Sequence, residues 1–582
     1  MNRFKDRDPL DTIDLINNFF IGKGYQVKPA ELGETPCGSW TCYVDLFLDD
    51  LRVQQSCGKG ATKEFALASG YAELFERFCS NIHIYSNPIL SKKFVDYNLK
   101  TFGYHMDKNE KKMDLNDFLS EPIFQKWGAS FTNTKEDLAE YLNVLCNKQI
   151  IGLPFKHYNN DKVKYLDPRI FYLIYGSTGL SAGNTFEEAF IQGVSEIFER
   201  FANHDFFKTK YDKYYEIENQ YLNSVNKTYI EKIENTNKEI RIFDLSYNIN
   251  LPVCLCLLID KENYCYYMDF GSAPTFDLAV ERILTELYQN ILKNQTLWEH
   301  YQKPFAEDPW YHNLTMALPS MPRATAVPEY IFYSEIIKTK PSNCFIENAQ
   351  KLNNLDLYNY ITDICKKNNY NPYIYNNSLS SDFYSFNIYI PEIDFVEYKR
   401  KDKEAISCEL KDSSIYAFKQ SAKFLKELVS KGNLFFTAAK FHDFQIMWKN
   451  RNQARAVSII HSGWFQLYGI NLNNNEDFSI YFGSSNTFFS GLIKIKNPIV
   501  QKELKKYLTA ITYLEQYKIG NYTLEQINSI FNSLGIENTE NLLRYSSSDW
   551  YIFSQVFLKG YIEEFHSERH NKFIESHSNG RI

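Results

Sequence analysis

The sequence predicts an α/β fold made of repeated strand–Gly-rich turn–helix units that share one site, followed by a mainly helical C-terminal extension. Three observations predict it. One helix is written three times. Gly60–Phe78 (GATKEFALASGYAELFERF) aligns without a gap on Gly183–Phe201 (GNTFEEAFIQGVSEIFERF), and a looser third copy runs from Thr275 to Gln289. Each copy begins in a Gly-rich turn: Gly58-Lys59-Gly60, then Gly176 to Asn184, then Gly271-Ser272-Ala273. Apolar or alternating segments, the mark of strands, precede these turns. Internal repeats constrain a fold more tightly than composition does.

The elements follow in order. Residues 11 to 22 carry helical periodicity and predict an opening helix. Trp40–Leu48 alternates and Arg52–Cys57 continues it, with Leu48-Asp49-Asp50-Leu51 as the turn of a hairpin. Residues 90 to 165 are polar and rich in Lys and Asn, which predicts an insertion with some helices. Tyr165–Tyr175 is an apolar run read as a strand into the second repeated helix. Ile240–Asp244, Val253–Leu258 and Tyr264–Phe270 read as strands before the third, and Phe383–Ile390 as a last strand. Residues 1–400 therefore form the expected catalytic domain. Residues 401–582 form the expected extension, with helical runs at Ser414–Leu428 and Val500–Gln516 and no catalytic motif.

The repeated helices carry polar stripes. At about 100° per residue, Ser69, Glu73 and Glu76 fall on one face. Glu188, Gln192, Glu196 and Glu199 do so in the second copy, and Arg282, Glu286 and Gln289 in the third. The opposite faces are apolar. One reading is a solvated face whose Glu residues pair with Arg77, Arg200 and Arg282. The other is that the stripes converge on a cavity. Carboxylates do not share a site cheaply without cations, and carboxylates around phosphate oxygens are how Mg2+ is commonly held. Gly-rich turns that open helices also present free N–H groups to anions. Against this, no GxxxxGK[ST] or GxGxxG motif precedes a helix, and Gly-Lys-Gly alone fits a hairpin exit.

Composition narrows the classes. The 582 residues are 44% hydrophobic and 16% aromatic, enough for a large core and at least two domains. A net charge of −7 argues against a nucleic-acid partner held by counterion release. Eleven Cys are scattered without a Cys-x-x-Cys pair, as in a reducing, cytoplasmic compartment. No apolar stretch reaches the ~18 residues of a membrane span. His566, His570 and His577 could form a metal site, but an exposed polar tail is the plainer expectation.

The segments SCGKGATKEFALASGYAELFER, STGLSAGNTFEEAFIQGVSEIFER and AVERILTELYQ resemble the ATP-binding stretches of the YcaO family, in the family's order. The likeness spans about residues 35 to 400. It implies a YcaO-like fold with one ATP site, and ATP and Mg2+ as cofactors. It also implies activation of a peptide or protein backbone amide oxygen by phosphorylation, leading to a thioamide, an azoline heterocycle or an amidine. Carried over by motif, the nucleotide-binding residues are Lys59, Ser69, Glu73, Glu76, Asn184, Glu188, Glu196, Glu199, Arg200, Arg282, Glu286 and Gln289. The metal ligands would be Glu73, Glu76, Glu196, Glu199 and Glu286, and the catalytic residues Glu76, Glu199 and Arg200.

Azoline-forming members often end in alternating prolines, whereas this sequence ends His577-Ser578-Asn579-Gly580-Arg581-Ile582, and no leader-binding domain is evident before residue 35. The resemblance thus points toward thioamide-type chemistry on a ribosomally made peptide, or toward an accessory role in methylthiolation of a small-subunit ribosomal protein. A non-catalytic ATP-binding scaffold of a modification complex is the third reading. The expected partners are a peptide or protein substrate, a sulfur-delivery protein and a second copy in a homodimer, with no nucleic acid and no membrane.

Overall fold

The structure is a computed structural model. It describes residues 5–289 with breaks at 50, 86–87, most of 132–148, 210, 237 and 261–264, and then 331, 334–346, 352–393, 522–533 and 568–579. The helical runs expected at Ser414–Leu428 and Val500–Gln516 lie outside the described residues, as does His566.

Helix α1 (Pro9–Gly22) opens the fold, with Asp8 as its cap and Pro9 in its first turn. Three antiparallel strands follow as a meander: β1 (Gln26–Glu34), β2 (Trp40–Leu48) and β3 (Leu51–Gly60). The β2–β3 turn is that expected from Asp49, which takes a φ of 53°. β3 delivers the first repeated helix, α2 (Lys63–Ser80). Helix α3 (Ile82–Tyr85) packs on the longer α4 (Pro88–Phe102), and the short α5 (Leu115–Leu119) and α6 (Pro122–Phe131) pack on each other. The polar segment 90–165 also contributes three strands, β4 (Lys111–Met113), β5 (Ile150–His157) and β6 (Val163–Leu166). β5 pairs with β4 and β6 and buries Ile151, Leu153 and Phe155, so the segment is part of the core rather than an addition to it.

One expectation is corrected here. The apolar run Tyr165–Tyr175 is a strand only at its start. Pro168–Tyr175 is helix α7, capped by Asp167, whose carboxylate accepts from the Arg169 N–H at 3.0 Å. Asp-Pro is a helix-start signal, and here it prevails over the strand-like apolar content.

After β7 (Leu180–Gly183) comes the second repeated helix, α8 (Phe186–Lys208). Next are β8 (Lys213–Ile217), α9 (Ser224–Glu234), β9 (Lys238–Asp244), α10 (Ser246–Ile249), β10 (Val253–Asp260) and β11 (Cys265–Ser272). β11 leads to the third repeated helix, α11 (Phe276–Glu286). It is shorter than expected, so Gln289 sits in the turn beyond it. The described residues continue with β12 (Glu335–Thr339), α12 (Asn354–Lys367), β13 (Tyr373–Asn376) and β14 (Tyr384–Tyr389). Helices α13 (Leu524–Ser533) and α14 (Glu568–Asn579) complete them.

Besides the meander there are two larger sheets, ordered β11-β10-β9-β8-β12 and β4-β5-β13-β14-β7, with β6 on β5. The β8–β12 pair is parallel and the other described pairs are antiparallel. α2 lies on β2 and β3, α8 on β7 and β14, and α11 on β10 and β11. The three helices begin alike. Thr62, Thr185 and Thr275 are their caps, each accepting from the N–H three residues on, at 3.4, 3.2 and 3.3 Å. Contact between strand and helix is close: a Cβ at Gly58 would lie 2.1 Å from the Ala66 carbonyl oxygen and 2.3 Å from the Gly70 nitrogen.

Part of the region after residue 400 shares a core with the N-terminal half. Ile527, Phe531, Phe573 and Ile574 are buried in the cluster that holds Phe20, Phe75 and Phe78. His577 is buried as well, which corrects the expectation of an exposed polar tail.

One stabilising contact makes a testable pH statement. Burial would raise the Glu216 carboxyl, but Arg241 and Lys338 (2.6 Å) outweigh it and hold the group below its ordinary value of 4.5. The folded state therefore binds this proton less readily than the unfolded state. The contribution is present above the ordinary carboxylate value and is lost as pH falls through the lower folded value. Glu216→Gln should flatten the acid limb of stability, read from urea midpoints between roughly pH 3 and pH 6.

Candidate functional site

The three repeated helices turn their polar stripes toward one cavity of about 710 Å3. From α2 it receives Ser69, Glu73, Glu76 and Arg77. From α8 come Glu188, Gln192, Glu196, Glu199 and Arg200, with Asn184 just ahead of the helix. From α11 and the turn after it come Arg282, Glu286 and Gln289, while the end of β3 contributes Lys59. Every residue expected to bind nucleotide or metal thus lines the same space. Helical spacing explains it: each stripe is a face, and each opposite face is held in the core by residues such as Leu74, Phe75, Val194, Phe198, Ile283 and Leu284.

The carboxylates are balanced by cations, as the salt-bridge reading expects. Arg77 reaches Glu73 at 3.3 Å and Glu76 at 3.2 Å. Arg200 stands 3.7 Å from Glu196 and 4.0 Å from Glu199. Lys59 crosses from the first unit to pair with Glu286 of the third. Arg282 departs from the pattern, donating instead to Gln192 Oε1 at 2.5 Å on the neighbouring helix. So the pairs exist, but they line a cavity instead of decorating a solvated face, and the Lys59–Glu286 pair links different repeats.

Burial perturbs this cluster. It pushes the Glu76 carboxyl up to about 8, with Arg77 opposing and Glu73 and Glu196 adding to the rise. It also raises Glu196, against the pull of Arg200. A carboxyl so placed takes up a proton near neutrality and yields it to a stronger cation. Perturbed acids in a cleft are a physical signature shared by functional sites and by buried ion-pair networks.

The donor set fits Mg2+ with a nucleotide. Among the described residues no three His, Cys, Asp or Glu side chains form a ready-made metal cage. Mg2+ does not ask for one, since it usually takes one or two carboxylates and fills its remaining positions with phosphate oxygens and water. Glu73, Glu76, Glu196, Glu199 and Glu286 offer such carboxylates, each beside a cation that can turn to a phosphate.

Some lining residues carried no local signal. Lys5 pairs with the buried Glu188 at 2.6 Å, and Asn184 Nδ2 donates to the same carboxylate at 3.2 Å. Thr12 of α1 donates to Asn184 Oδ1 at 3.0 Å, and Arg7, Asn354 and Leu357 also line the cavity. These come from the chain before α1, from α1 itself and from α12, far in sequence from the repeats they join. Only the helical periodicity of residues 11 to 22 hinted at structure there.

Comparison with known proteins gives the family. The family described as YcaO cyclodehydratase, ATP- and Mg2+-binding, matches residues 57–394. The chain belongs to the YcaO family, whose cofactors are ATP and Mg2+. It is 31% identical over 299 residues to the ribosomal protein S12 methylthiotransferase accessory factor YcaO of Escherichia coli, covering 49% of each chain. It is 30% identical over 249 residues to an uncharacterized protein of Haemophilus influenzae, covering 40% of each. The matches thus span about half or less of these relatives. Among solved structures, a heterocyclase in complex with substrate and cofactor is 15% identical with a TM-score of 0.43, over 67% of this chain and 54% of that one. The YcaO of Methanopyrus kandleri bound with AMPPCP and Mg2+ is 15% identical with a TM-score of 0.41, over 67% and 92%.

Proposed function

We propose that this protein uses ATP and Mg2+ to activate a backbone amide oxygen of a peptide or protein. The observation that carries the reading is the convergence of three carboxylate stripes, with Lys59, Arg77 and Arg200 among them, on one cavity. Bound there, ATP would supply the phosphoryl group that turns an amide oxygen into a leaving group, and Mg2+ would neutralise charge on the phosphate oxygens. Glu73, Glu76, Glu196, Glu199 and Glu286 would hold the metal. Lys59 and Arg200 would exchange their carboxylate partners for phosphate oxygens. Phosphoryl transfer asks the protein chiefly for position and charge, and no enzyme nucleophile is required. The apolar side of the cavity, with Leu180, Leu357 and Phe383, would receive the substrate chain and exclude water from the amide.

The test is mass spectrometry of candidate peptides incubated with and without ATP, each with and without added sulfide, alongside phosphate release. Loss of water marks an azoline, and exchange of oxygen for sulfur marks a thioamide. ATP binding with neither phosphate release nor a mass change would instead favour a non-catalytic scaffold.

A second reading, an accessory role in methylthiolation of a small-subunit ribosomal protein, is favoured by the name of the Escherichia coli relative. Its discriminator is the methylthio mark itself. Under this reading, loss of the gene lowers that mark on the ribosomal protein, and no peptide changes mass.

A further inference from the structure

We propose that His577 is a positioning residue: it fixes the carboxyl end of α2 and thereby the seat of Glu76 and Arg77 in the cavity. The inference rests on the nucleotide reading above, but it concerns a residue far from that cavity in sequence and on a different element.

Helix α14 is seated across the foot of α2. Lys93 on α4 donates to Asn571 at 3.1 Å and Tyr97 to Asn579 at 3.2 Å, while Lys572 pairs with Asp49 in the β2–β3 turn. Between these contacts Phe573 and Ile574 are buried in the first core. His577 goes deepest and is 0% exposed. Its ring centre lies 4.2 Å from that of Phe78, 5.5 Å from Phe573 and 6.0 Å from Phe94.

It has a polar contact with the residue that caps the helix. Asn81 caps α2 in the left-handed region, at φ 55°, and returns its N–H to the Phe78 carbonyl. The Asn81 amide nitrogen donates to the Tyr85 hydroxyl at 3.1 Å, which leaves Oδ1 to accept from His577 Nε2 at 2.5 Å. The same turn is held at two further points. Ser80 Oγ donates to the Arg77 carbonyl at 3.2 Å, and Tyr172 donates to the Ser80 carbonyl at 3.0 Å. Arg77 lies in that final turn, and its guanidinium holds both Glu73 and Glu76.

Chemistry favours orientation over simple filling. Phe at 577 would suit an aromatic nest, and burial alone would prefer it. A histidine there leaves a polar ring in an apolar setting, tolerable only because it is hydrogen-bonded. What the hydrogen bond adds is direction: it ties the cap side chain to a separate helix and restrains both the slide and the rotation of α2. Displacements of about 1 Å at positioned groups can cost a hundredfold in catalysis.

The experiment is calorimetric titration of the full chain with ATP and Mg2+, at a temperature where thermal melts show every variant folded. Asn81→Gly keeps the left-handed cap, which glycine favours, and deletes the acceptor for His577 together with the donor to Tyr85. His577→Phe keeps the aromatic volume and deletes the donor, while His577→Gln retains an N–H. We expect about tenfold weaker ATP binding for the first two, and recovery to within about threefold of wild type for His577→Gln. A purely structural histidine would lower the melting midpoint and leave affinity unchanged, which overturns the proposal. Should His577→Phe fail to fold, wild-type affinity in Asn81→Gly overturns it equally. Wild type that binds no ATP removes the nucleotide reading itself, a result distinct from variants that match a binding wild type.

Discussion

Glu76→Gln and Glu199→Gln should each lower ATP turnover by more than tenfold, at least about 1.4 kcal/mol of lost transition-state stabilisation. The two positions are equivalent in the repeat, and both side chains face the cavity. Gln preserves size and hydrogen bonding but removes the negative charge that a divalent cation needs. Folding should survive, because neither substitution strands an arginine. Arg77 keeps Glu73 at 3.3 Å and Arg200 keeps Glu196 at 3.7 Å. The measurement is steady-state phosphate release beside a thermal melt. Wild-type turnover in both variants would return these residues to plain helix salt bridges.

The second large effect is on the fold that carries the site. Gly58→Ala should destabilise the protein by about 3 kcal/mol or more, the upper range for overpacking. The reason is that its Cβ meets backbone and not a side chain that can swing away: the Ala66 oxygen at 2.1 Å and the Gly70 nitrogen at 2.3 Å. Relief requires β3 and α2 to part, and Lys59, the next residue, would leave Glu286. ATP affinity should therefore fall together with stability. Gly22→Ala, where a Cβ meets nothing within 4 Å, serves as the neutral control. Urea midpoints for the two variants decide the matter, and equal midpoints would contradict the close strand–helix contact.

The candidate site was legible in the sequence because its parts are local. Gly-rich turn, stripe and apolar face could be read within one short window, whereas the caps Thr62, Thr185 and Thr275 emerged only in the structure. Repetition added what a single window lacks, since the same Glu spacing in separate helices argues for a shared purpose. Local reading failed where long-range contacts decide. Pairing of β8 with β12 joins Tyr214 to Ile336 across more than a hundred residues, and no turn between them announces it. Lys5 reaches Glu188, and His577 reaches Asn81, by the same kind of tertiary choice. Tyr165–Tyr175 failed for a different reason: its apolar content suits strand or helix alike, and Asp167-Pro168 settled the choice through the cap. The Glu–Arg pairs show a further limit. Their existence follows from spacing, but whether they face water or a cavity depends on which elements close over them.

If the three carboxylate stripes form one Mg2+-dependent nucleotide site, nucleotide binding must depend on the metal. The most direct test is a calorimetric titration of the wild-type chain with ATP, with Mg2+ and then with the metal chelated. The prediction is saturable binding in the range of roughly 1 μM to 1 mM typical of enzyme substrates, lost or strongly weakened without the metal. No binding at millimolar ATP with Mg2+ present, or binding indifferent to the metal, would contradict it.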